Sequence, residues 1–62
     1  MTEKELLYLE DAVSHEKSII EICNDLESKV SDSYKDFFNN QISSHNELLN
    51  NLMSLLKEKA NE

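Results

Sequence analysis

The chain has 62 residues and a formal net charge of −7, enough for one domain at most and too little for a two-helix hairpin to bury a safe core alone. Its six basic residues are all lysine, so the guanidinium forks and basic stripe of a nucleic-acid binder are missing. Membrane association is not expected either: an acidic surface is repelled by anionic lipid, and no apolar run approaches the ~20 residues that a bilayer span needs.

The opening stretch, "MTEKELLYLED", sets acidic residues on both sides of a very short apolar run, which is not the pattern of a signal peptide. Within it, "TEKE" is a capping-box pattern, in which the Thr2 hydroxyl accepts from the amide three residues on and Glu5 reaches back. A first helix is predicted over residues 3 to 29, with inward heptad positions at Leu6, Leu9, Val13, Glu16, Ile20, Cys23, Glu27 and Val30. Ala12, Ile19 and Leu26 also lie just before seam positions, so the apolar stripe is wider than a two-stranded seam requires. That width suits a four-helix bundle.

Glycine and proline are both absent, which argues for helices joined by a polar linker rather than for sheets and tight hairpins. Ser31, Asp32 and Ser33 form the one cluster able to end a helix and cap another. The turn is placed at about residues 30 to 32, with Asp32 as the N-cap. The second helix is predicted over residues 33 to 60, with Tyr34, Phe38, Ile42, His45, Leu49, Leu52 and Leu56 on its inner face. Leu48, Met53 and Leu55 widen that face, and Lys57 and Lys59 sit in the last turn, where cations favour the helix dipole.

The expected fold is therefore all-α: one domain over residues 1 to 62, an antiparallel two-helix hairpin that dimerises into a four-helix bundle. With a turn near residue 31, residues share a level when their numbers sum to about 62. Leu9 then faces Leu52 and Met53, Cys23 faces Phe38, and Glu27 lies near Lys35. Glu16 falls opposite His45, so the two polar intruders on the two stripes meet half-way along the hairpin.

A carboxylate stranded in a core costs several kcal/mol unless it is paired. The simpler account of Glu16 and His45 is a hydrogen-bonded pair that fixes register or partner choice. The sharper one is a divalent metal site. Two hairpins about a two-fold axis would bring two Glu16 and two His45 together, four N/O donors that suit Zn²⁺ better than a two-iron centre. His15 points about 100° away from Glu16 and joins a secondary stripe with Tyr8, Ile19 and Ile22, as an interface or half-exposed histidine. Cys23 is read as a small buried hydrophobe. A single cysteine excludes an internal disulfide and fits a reducing, cytoplasmic setting, although a bridge between two chains stays open. No glycine loop or nucleophile elbow is present, and the sequence supports a protein that is not an enzyme.

The stretches "TEKELLYLEDAVSHEKSII" and "SDSYKDFFNNQISSHNELLNNL" together resemble the spore coat protein F family, small ferritin-like helical proteins of spore-forming bacteria. The likeness covers nearly the whole chain and is most specific over Thr2 to Lys17. It implies a structural coat or sporulation component that acts by helix-mediated association and meets other coat proteins; the homodimer itself is expected from the wide apolar faces and the small core. A ferritin-like di-iron centre would take a lone Glu, matched by Glu16, and a Glu-x-x-His, of which His45 supplies only the histidine, since residue 42 is Ile42. Family members often carry a second histidine three residues later, where this chain has Leu48. A second family, the two-helix phosphatases of response-regulator aspartyl phosphates, shares the short acidic hairpin. "SHNELLNN" has Leu49 where that family's functional Asp stands. A helical adaptor that docks a groove on another protein completes the alternatives.

Overall fold

A computed structural model describes residues 1 to 60. Two helices, α1 (Glu3–Lys29) and α2 (Asp32–Ala60), account for everything but Met1, Thr2, Val30 and Ser31. There is no strand among the described residues, and no helix among them is long and apolar enough to cross a membrane. The helices pack along each other as a hairpin measuring 46 × 14 × 10 Å.

The start of α1 is held as its sequence predicts. The Glu5 amide donates to the Thr2 hydroxyl at 3.1 Å, and the Thr2 amide donates to the Glu5 carboxylate at 3.0 Å. Two of the four amides that a helix leaves unpaired at its start are thereby satisfied. The Thr2 amide, and to a lesser degree the Thr2 hydroxyl, favours the ionised form of the Glu5 carboxyl and holds it below the ordinary value of 4.5.

Two residues suffice for the turn. Val30 closes α1 in an extended conformation (φ −92°, ψ 163°), with its amide donating to the Leu26 carbonyl at 3.0 Å. No described residue adopts a positive φ, and a β-branched side chain is comfortable in the extended region. This explains how the chain reverses without glycine. The Tyr34 amide donates to the Ser31 carbonyl at 3.0 Å, and the Ser31 and Ser33 hydroxyls meet at 3.1 Å. Asp32, expected to cap α2, instead forms its first residue. It still places a negative charge in the first turn, where the dipole favours one.

Leu6, Leu9, Val13, Ile20 and Cys23 of α1 and Phe38, Ile42, Leu49, Leu52 and Leu56 of α2 all lie at the seam, and all are half-buried. No described residue is fully buried. The accessible surface is 4702 Å², against about 4,100 Å² for a compact monomer of this mass. The radius of gyration is 14.4 Å, where a compact chain of this length would have about 11 Å. One hairpin has a seam and no interior.

Candidate functional site: a glutamate–histidine bridge

Glu16 sits in the middle of α1 and His45 in the middle of α2, 29 positions apart in the chain. They meet because the two-residue turn sets the antiparallel register. His45 Nδ1 lies 2.6 Å from Glu16 Oε2, and the side chains are only 27% and 13% exposed respectively. That is shorter than an ordinary nitrogen–oxygen hydrogen bond and sits just below the usual range of a charge-assisted one. The Nδ1–H donates to the carboxylate, so in the neutral ring the lone pair lies on Nε2. Together the two groups satisfy each other between apolar seam neighbours, Val13, Ile20, Ile42 and Leu49.

A second contact checks the same register nearer the turn. Lys35 Nζ donates to the Glu27 backbone carbonyl at 3.4 Å. The expected proximity of Glu27 and Lys35 is found, but the cation reaches the main chain rather than the carboxylate. Glu27 and Lys35 are both half-buried, so the lysine stem covers the seam while its head reaches out to a carbonyl.

His15 is separate from this bridge. Its Nδ1 lies 2.7 Å from the Asp11 carbonyl oxygen and 3.4 Å from the Asp11 carboxylate, with both side chains 70% exposed. The acid four residues before the histidine was the available signal for that contact, since such pairs share a helix face. Cys23 is a free, half-buried thiol. Met53, expected beside Leu9, is 45% exposed and lies toward the outside.

As a metal site, one hairpin offers one carboxylate and one imidazole, already bonded to each other. Among the described residues no group of three or more His, Cys, Asp or Glu side chains converges. A carboxylate that accepts from Nδ1 is how proteins commonly orient a histidine whose Nε2 binds a metal. Any metal held here would need donors from another chain. No family model, curated protein or solved structure matches this chain.

Proposed function

We propose that this chain is a non-enzymatic structural protein that acts by self-association, with a homodimeric four-helix bundle as its working form. One observation carries this reading: two helices of 27 and 29 residues come together without burying a single described residue. Small helical chains of that kind gain their stability from a partner. The likeness of "TEKELLYLEDAVSHEK" to the spore coat protein F family supports a place in the spore coat or the machinery that builds it, beside other coat proteins. Within the bundle, the Glu16–His45 bridge serves as a register device. Sliding one helix by a turn would separate the two groups and leave each without its partner, which is the best-attested use of a polar pair in a helical core.

A second reading is favoured by the geometry of His45. With Glu16 holding Nδ1, the Nε2 lone pair would be the donor left for a divalent ion shared between two copies. Native mass spectrometry of tag-free protein, purified without chelators, tests both readings. A metal-free dimer at micromolar concentration supports the structural one. A dimer with one or two bound ions that are lost in His45→Ala supports the metal one. A monomer refutes self-association.

A further inference from the structure

We infer that the hairpin associates through one flank, built from Tyr8, Ile19 and Leu26 of α1 and Phe37, Leu48 and Leu55 of α2, and that its occupant is a second copy of this chain. This rests on the self-association proposed above and names the surface that performs it. Each of the six residues immediately precedes a seam residue: Leu9, Ile20, Glu27, Phe38, Leu49 and Leu56. At about 100° per residue, each therefore stands roughly a quarter turn to one side of the seam. In an antiparallel pair, that side is the same for both helices, so the two rows merge into one face. An open groove shared by Tyr8, Leu9 and Leu55 shows the merger directly at the free end of the hairpin.

The opposite flank has a different character. Residues that follow a seam position include Glu10, Ser14, Lys17 and Glu21 on α1 and Asn39, Asn46 and Asn50 on α2. Its apolar exceptions are Leu7 and Met53. On the proposed face, Tyr8 is 63% exposed, Phe37 59% and Leu48 43%. Between Leu6 and Leu56 no acidic residue immediately precedes a seam residue, and Glu5, just before Leu6, is bonded into the helix cap. Two copies each carrying −7 can thus approach here with their carboxylates turned aside.

The area fits the same occupant. A face of 46 × 14 Å, covered by an equal face of another copy, buries about 1,300 Å² in total, within the range of specific interfaces. A second hairpin of the same length closes the layer into four helices and leaves no apolar overhang at either end.

Leu48→Glu and Met53→Glu separate this face from the other, since the two residues share a helix and are 43% and 45% exposed. In sedimentation equilibrium, Leu48→Glu should weaken the dimer at least a hundredfold, and Met53→Glu should leave it within about threefold of the parent. In a second pair, Phe37→Trp and Leu7→Trp, acrylamide quenching at Phe37→Trp should rise at least twofold on dilution from dimer to monomer, while Leu7→Trp stays constant. This pair decides the matter if Leu48→Glu fails to fold. Equal effects at both flanks overturn the assignment and leave self-association standing. A parent chain that is monomeric overturns both, and leaves the face to another protein or a lipid surface.

Discussion

Replacing His45 with leucine removes the partner of a carboxylate that is only 13% exposed. Breaking a fully buried ion pair from one side costs about 3–5 kcal/mol, and exposed pairs are worth about 0.2–1 kcal/mol. With His45 27% exposed, water reaches part of the bridge, and the loss for His45→Leu should be about 2 kcal/mol. In a domain of this size each kcal/mol moves the melting temperature by about 4–8 °C, so a fall of about 10 °C is expected by circular dichroism at fixed chain concentration. Glu16→Leu should cost less, because the His45 side chain left behind is 27% exposed and reaches water more readily than the Glu16 carboxylate, at 13%. The double variant, Glu16→Leu with His45→Leu, should return to within about 1 kcal/mol of the parent, since two leucines fill the seam with no polar group to satisfy. The cycle then yields a coupling of at least about 1 kcal/mol. If His45→Leu and the double variant melt together, with coupling below about 0.5 kcal/mol, the two groups are neighbours without being partners, and the register argument fails.

Four further outcomes follow from the geometry. Thr2→Ala removes an N-cap worth about 1 kcal/mol, and amide exchange should accelerate over Glu3 to Leu6 while the middle of α1 is unaffected. Because the Glu5 carboxyl is held below 4.5 in the folded chain, its stabilising share is complete above that pH. It is lost as pH falls through the lowered value, so the difference between Thr2→Ala and the parent should shrink in acid. Val30→Gly should destabilise by about 0.5–1 kcal/mol, by loosening the unfolded chain at a position already extended in the fold; a stabilised variant would show that the turn is strained. Cys23 should react with an alkylating reagent more slowly in buffer than in urea. Equal rates would place the thiol outside the seam.

Much of this arrangement is legible from residue order. The alternation of three and four between Leu6 and Val30, and again from Phe38 to Leu56, marks both inner faces, and the serines around Asp32 mark the reversal. Given that reversal, numbers summing to about 62 bring Glu16 to His45 and Glu27 to Lys35, because both helices rise by the same step per residue. What residue order could not show is where a long side chain ends. Lys35 reaches a carbonyl rather than a carboxylate, a choice made by a few ångströms of stem. Asp32 is displaced by one position because Ser31 and Val30 already complete the reversal between them. Nor does periodicity report depth: Met53 and Leu52 read as equally apolar, yet one stands largely in solvent and the other lines the seam. The Glu16–His45 meeting was legible. Which nitrogen the carboxylate takes depended on the rotamer of the ring.

The two-residue reversal at Val30 and Ser31 also sets the order in which the chain can assemble. Contacts beside it, such as Lys35 with Glu27, join residues 8 apart and close small loops, whereas Glu16 and His45 enclose a loop set by their separation of 29. Closure entropy rises with loop length. The least costly route zips outward from the reversal, and each pairing shortens the loop the next must close. The bridge then forms mid-way, when a mis-slid helix can still unzip and try again. Folding times of microseconds to milliseconds are characteristic of such locally connected helical chains. On that timescale the register role proposed for Glu16 and His45 would amount to a checkpoint on alignment before the outer halves of the helices commit.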